Sequence, residues 1–336
     1  MNERSPVRLS ILDTAPVWDG SSPQQALHDT VELAVHAERL GYHRYWVAEH
    51  HNAPFIASCA PAVLAGQIAG RTTTIRVGSG GVMLPNHAPL VVAEQFGTLE
   101  ALNPGRIDLG IGRSPGSDMV TAHALRRVSG PPGSDFFSKQ VAEVMGYFDL
   151  ADGKTGGRIV AVPAQGNRPE IWLLGSSAKN ARLAGRLGVR YAFAYHIKPG
   201  QAEEALSAYR AAFQPSEHLD RPYTIITASV VAAETDEHAE WLSGPLEVVM
   251  LEASAGARNR PNIGTKEAEH HLRSLPAEAR DHGHLATHII GGPETVRKKV
   301  ADLVAATGTD ELMAFSLIED VEDRKRSCAV LASAVG

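Results

Sequence analysis

Short, nearly continuous apolar runs alternate along the chain with longer stretches in which apolar residues recur every three or four positions. This is the pattern of buried strands separated by amphipathic helices. Arg8–Asp13 reads as a strand and Ser22–Leu40 as a helix, with Pro23 in the first turn, where a missing N–H costs nothing. Arg44–Glu49 is the second strand, followed by an apolar helix over Ala60–Arg71; Ile75–Leu84 is the third, followed by Pro89–Leu102. Arg106–Ile111 predicts the fourth strand, with a long return segment over Asp118–Leu150 that Gly130-Pro131-Pro132-Gly133 interrupts. Glu170–Leu174 leads into the helix Ala178–Leu187, and the strands Tyr191–Tyr195 and Tyr223–Ala232 lead into helices starting near Gly200 and Asp236. Glu311–Ile318 is the eighth strand and Asp320–Val335 the closing helix.

Eight strands, each followed by a helix, predict an α/β fold, a closed (β/α)8 TIM barrel. A doubly wound open sheet shows the same alternation and stays as the alternative. The 336 residues leave room for two insertions, one after strand four, from Ser114 to about Gln140, and one between strands seven and eight, Ala253–His288. The second is rich in Gly, Asn, Arg and His and reads as a mobile lid or a disordered loop, with His270, His271, His282, His284 and His288 as solvated loop residues. No composition break divides the chain, so residues 1–336 are expected to form a single domain.

Composition then narrows the function classes. Hydrophobic residues make up 43% and charged residues 21%, enough for a large core, which excludes a disordered or fibrous chain. Thirty-two basic against 38 acidic residues give a net charge of −6, which favours neither nucleic acid nor an anionic membrane as partner. Cys59 and Cys328 are too few for a disulfide framework or a four-thiolate metal site and suit a reducing cytosol. No window approaches the ~18 apolar residues of a membrane span. The expectation is a soluble, cytoplasmic protein.

In a barrel of this kind chemistry sits where the strands end. Glu49-His50-His51 closes the second strand, and alternation lets only one of the two histidines enter the barrel mouth easily while its neighbour supports the shell. Such a histidine suits proton transfer near neutral pH; two histidines capping a strand is the alternative. A metal is not expected there, because no HExxH spacing exists and the carboxylate partner would have to come from a distant strand. Gly78-Ser79-Gly80-Gly81 ends the third strand and either lets something flat approach the backbone or forms a closing bulge. Strand six ends at Tyr195 and His196, and strand eight near Ser316 and Glu319.

The fourth strand runs into Gly110-Ile111-Gly112-Arg113-Ser114-Pro115-Gly116. A dinucleotide fingerprint fails here, since Pro115 supplies no amide and no clear helix begins at Ser117. A nucleophile elbow at Ser114 fails too, because the following residue must donate its backbone N–H and is Pro115. Arg113 remains as a cation at the mouth, suited to a phosphate or carboxylate. Gly175-Ser176-Ser177-Ala178-Lys179-Asn180 joins strand five to its helix, and its two hydroxyls make either an anion site or a simple N-cap. A phosphate between Arg113 and this terminus would meet a cation and a helix dipole at once. Trp18, Phe55 and Tyr195 are apolar or aromatic residues near the mouth, open to a hydrophobic or polyketide-like molecule or to plain packing.

Four segments in order now resemble a known family. They are Ala37–Tyr42 with Trp46–Asn52, Ile75–Pro85, Glu94–Leu102 and Pro104–Arg113. Over nearly its whole length the chain is similar to the bacterial luciferase-like flavin-dependent monooxygenases, in particular to the MsnO8-like branch of secondary metabolism. The resemblance implies a barrel that binds FMN at the strand C-termini, with reduced FMN supplied by a separate flavin reductase, and O2 as co-substrate. It implies cofactor-binding roles for Glu49, Gly80, Gly81, Arg113, Ser176 and Ser177, with Gly80-Gly81 where the family often has a non-prolyl cis peptide. It implies His50 as the proton-handling residue with His51 as its catalytic neighbour, the 253–288 insertion as a shielding loop, and a homodimer through helices two and three. Gly112 and Gly175 stand where luciferase proper has a cysteine and a glutamate, so light emission and its aldehyde substrate do not transfer. An F420-dependent reductase or dehydrogenase on the same barrel, and a non-catalytic flavin-binding protein, are the alternatives.

Overall fold

In the computed structural model, which describes residues 7–114, 116, 118–126, 134–149, 159–254, 261–276 and 285–336, parallel strands close on themselves. They are β1 (Arg8–Asp13), β2 (Arg44–Val47), β3 (Arg76–Met83), β4 (Ile107–Gly112), β5 (Glu170–Gly175), β6 (Arg190–Ala194), β7 (Thr224–Ala232) and β9 (Glu311–Phe315). Each pairs with the next, β6 pairs with β7, β7 with β9, and β9 returns to β1 with Ser10 opposite Met313. That closure replaces the open-sheet alternative. The strands are buried on both faces and so read as continuous apolar runs, β7 without a single exposed position.

Helices α1 (Pro23–Arg39), α2 (Pro61–Ala69), α3 (Pro89–Leu102), α4 (Met119–Arg126), α5 (Ser134–Asp149), α6 (Ala178–Arg186) and α7 (Ala202–Ala212) occupy the first six crossovers. Local chemistry sets several ends: Ser22 accepts from the Gln25 N–H at the start of α1, and Asp320 accepts from the Glu322 and Asp323 N–H groups at the start of α12 (Val321–Val335). The expected break at 130–133 lies outside the described residues.

Two expectations are corrected in the last crossover. The barrel strand stops at Phe315 rather than Ile318, and an additional strand, β8 (Ile289–Gly291), adds to the edge of β7, with Val230 opposite Ile289. The 253–288 insertion is no loop throughout. The crossover runs through α8 (Asp236–Leu242), α9 (Gly244–Ser254), α10 (Thr265–Ser274) and then α11 (Pro293–Thr307). Asn262 pins the segment to the mouth by donating to the Val17 and Phe55 carbonyls at 3.1 and 3.0 Å, and the Thr265 N–H donates to Glu319 at 2.7 Å. His270 and His271 lie on a helix, α10, rather than in a loop, with His270 exposed as expected; His288 lies in a bend but is only 3% exposed, so it is not solvated; His282 and His284 lie outside the described residues.

The barrel interior is filled by Leu12, Trp46, Trp172, Ala192, Ile225 and Met313, with the Trp46 and Trp172 rings edge to face at 5.2 Å. Below them the strand starts carry a buried ion network. Arg44 bonds Asp108 at 2.7 Å and Glu311 at 2.8 Å, Arg76 bonds Asp108 at 2.7 Å, and the Arg44 guanidinium lies 4.7 Å from the Trp172 ring centre. Burial alone would raise the Asp108 pKa, but Arg44 and Arg76 outweigh it and hold the carboxyl below its ordinary value. This sealed underside leaves the opposite rim for function.

Candidate active site

A cavity of about 1070 Å³ opens at the C-terminal rim, just above the upper end of the range usual for small-molecule and cofactor sites. Its wall brings together five of the residues singled out from the sequence: His50 after β2, Gly80 in β3, Arg113 after β4, and Ser176 and Ser177 after β5. Glu49, His51 and Gly81 are not part of that wall. Of the three aromatic residues noted near the mouth, Phe55 lines it; Trp18 is buried against Leu246 and Leu317, and Tyr195 packs on the outer core.

Alternation past the end of β2 separates the histidines. His50 faces the cavity, and burial holds its pKa below the ordinary histidine value although a hydrogen bond to the Gly116 backbone opposes this. Gly116 has φ +63°, and a Cβ there would lie 2.9 Å from the Glu49 carbonyl oxygen, so the turn that covers these residues requires glycine. Glu49 and His51 project the other way. Glu49 Oε1 lies 2.9 Å from His51 Nε2, 2.8 Å from His87 Nε2 and 3.3 Å from Asn86 Nδ2, while Oε2 accepts from the Met83 N–H at 3.1 Å. Burial raises the Glu49 pKa, but His87, His51 and the Met83 amide outweigh it and keep the carboxylate ionised. The carboxylate partner of these histidines is thus their sequence neighbour, not a residue of a distant strand. Glu49, His51 and His87 offer three metal-ligand atoms within 4.8 Å, and their mutual hydrogen bonds satisfy them as they stand.

The glycines of β3 and β4 serve two purposes. A Cβ on Gly110 would come within 2.1 Å of the Ser79 carbonyl oxygen, and one on Gly78 within 2.3 Å of that of Asp108, so these two let the strands approach. The register shifts between Ser79 and Val82, which is the bulge, and the Gly80–Gly81 peptide within it is cis.

At the start of α6 the Ser177 hydroxyl makes no bond to its own helix, although Ser177 occupies the N-cap position. The first-turn amides are therefore left without a side-chain cap, at a helix start whose Ser176, Ser177 and Lys179 line the cavity. Lys179 and His123 join Arg113 in the wall here, and no Asp or Glu side chain lines the cavity among the described residues. The donor set of two serines, Arg113, Lys179 and a helix N-terminus fits a dianionic phosphate, and the cavity volume fits a flavin with room beyond it. Lys179 carried a readable signal, a cation in the first turn of the predicted helix after Ser176-Ser177.

His196, at the end of β6, also lines the cavity. Its backbone N–H and its Nδ1 both meet the Thr227 carbonyl, at 3.0 and 2.9 Å. Burial lowers its pKa to about 4 despite the Thr227 bond, and His288 and His50 push the same way. The ring is therefore neutral at neutral pH.

Comparison with known proteins assigns the family. The profile described as luciferase-like monooxygenase matches residues 7–311. The chain is 41% identical to a luciferase-like monooxygenase of Escherichia coli (strain K12), covering 96% of this chain and 95% of that one. It is 36% identical to the N-acetyl-S-alkylcysteine monooxygenase of Bacillus subtilis (strain 168), covering 98% of each. The crystal structure of apo-MsnO8 superposes with a TM-score of 0.89 at 38% identity, covering 98% of each chain. The chain belongs to the luciferase-like monooxygenase family.

Proposed function

We propose that the protein is an FMN-dependent monooxygenase that receives reduced FMN from a separate flavin reductase and uses it with O2 to oxygenate an organic, secondary-metabolite substrate in the cytoplasm. The observation that carries this reading is the convergence of Arg113, Lys179 and the uncapped Ser177 on one cavity that no Asp or Glu lines among the described residues. Arg113, Ser176, Ser177 and Lys179 would hold the flavin phosphate, and Gly80, with Gly81 behind it, would let the ring approach the main chain. The bound flavin supplies the electrons and the oxygen chemistry. His50 holds and moves a proton at its imidazole nitrogen, and its lowered pKa leaves it neutral and able to accept one. Glu49 and His51 belong to the same machinery by fixing the chain on either side of His50. The apolar wall excludes water from the reacting centre.

The same reading includes a homodimer through α2 and α3. Val63 and Leu102 are each 74% exposed and Val91 43%, an apolar surface that a second copy would cover. The test of the function is incubation with FMN, a flavin reductase, NADH and O2. Oxygen-dependent oxidation of protein-bound reduced FMN supports the assignment. Turnover with F420 in its place, without a need for O2, would replace it with the deazaflavin reading.

A further inference from the structure

We propose that His196 determines substrate specificity: its Nε2 accepts a hydrogen bond from a neutral, largely apolar substrate that carries one hydroxyl or amide N–H donor. For its reaction the inference rests on the flavin-monooxygenase reading, but the recognition itself stands on the chemistry of the cavity.

The tautomer is fixed by geometry. A carbonyl oxygen only accepts, so the 2.9 Å contact with Thr227 requires the ring proton on Nδ1 and leaves the lone pair on Nε2. Because the ring is uncharged near neutral pH, Nε2 presents an acceptor and not a cation. No hydrogen bond to Nε2 is present among the described residues, and His196 borders the cavity. The Phe315 ring lies 5.4 Å away, tilted by 34°, His50 and His288 stand close enough to disfavour a charge on the ring, and Ile197, Leu317 and Val249 line the same cavity. A ligand that fills the cavity over Nε2 must supply the donor it displaces, so a molecule with a donor is selected over its analogue without one.

Charge defines the class further. An ammonium group would find no carboxylate in the wall among the described residues, and the cations Arg113 and Lys179 belong to the phosphate end. A neutral molecule with one donor therefore fits where ions do not.

The experiment titrates the full-length protein, with and without FMN, using 2-naphthol, 2-methoxynaphthalene and 2-naphthylmethylammonium as probes. The expected result is that 2-naphthol binds about tenfold or more tightly than its methyl ether and that the ammonium gains nothing. His196→Phe, which keeps a ring and removes the acceptor, should bring naphthol and ether within about twofold. In the unmutated protein, the nitrogen NMR spectrum should show a neutral imidazole protonated on Nδ1, with the Nε2 signal moving when 2-naphthol is added; this readout needs no variant to fold. Equal binding of the two naphthalenes, binding of neither, or discrimination that survives in His196→Phe overturns the proposal. So does a loss of FMN affinity in His196→Phe without any discrimination, which would give the acceptor to the cofactor. Discrimination in a protein that takes up no FMN supports this proposal and sinks the flavin reading.

Discussion

His51 donates its Nε2–H to Glu49 Oε1 at 2.9 Å, and this contact gives the two adjacent histidines different work. An ionised carboxylate only accepts, so His51 is committed to holding Glu49, while His50 has its ring in the cavity wall.

His50→Ala should therefore leave thermal stability near that of the parent and slow the proton-dependent part of turnover by about 10²- to 10⁴-fold. His51→Ala removes a donor from a buried carboxylate and should cost about 1–3 kcal/mol of stability with a smaller effect on turnover. Thermal unfolding and the O2-dependent decay of protein-bound reduced FMN, measured on both variants, check this. Equal loss of turnover with unchanged stability in both would contradict the division.

On the sealed side of the barrel, Asp108 joins Arg44 and Arg76 and accepts from Trp46 Nε1 at 2.8 Å. Asp108→Ala takes away the carboxylate that Arg44 and Arg76 share while Glu311 stays on Arg44, and the expected loss is about 3 kcal/mol, read as a lower denaturant midpoint at unchanged slope. The folded pKa of Asp108 lies below its unfolded 3.8. Its contribution is thus present above that value and lost as the pH falls through the folded pKa, so the acid limb of the stability curve should flatten in the variant.

His196 gives the opposite kind of titration. Its pKa of about 4 in the fold lies below the ordinary 6.5, so between these values the unfolded chain binds a proton that the folded chain refuses. Stability should fall as the pH drops from 6.5 toward 4, by at most about 1.4 kcal/mol per unit from this group. His196→Phe should lose that share, which urea titrations at stepped pH would register; an unchanged pH dependence would show that the ring is not held neutral.

Much of the architecture is legible in the sequence because parallel strands buried on both faces leave uninterrupted apolar runs: Pro89–Leu102 is read to the residue, and the barrel strands to within a few. What escapes is what local pattern does not encode. β8 is three residues long, too short to show a period. In α10 only Thr265 and Ala268 are buried, so no apolar stripe marks it as a helix. His87 reaches Glu49 from the turn after β3, a contact 38 residues distant that no spacing rule predicts. The burial of His288 and the enclosure of the half-buried His196 come from the barrel and its last crossover, not from their neighbours in sequence.

The measurement closest to the central claim compares FMN with riboflavin, which lacks the phosphate, by calorimetric titration of the parent and of Arg113→Ala. If the cations and hydroxyls around α6 grip a phosphate, FMN should bind about 100-fold or more tightly than riboflavin, and Arg113→Ala should remove at least a factor of about ten of that preference while leaving riboflavin unchanged. Equal affinity of the parent for the two flavins, or an undiminished preference for FMN in Arg113→Ala, would contradict the account.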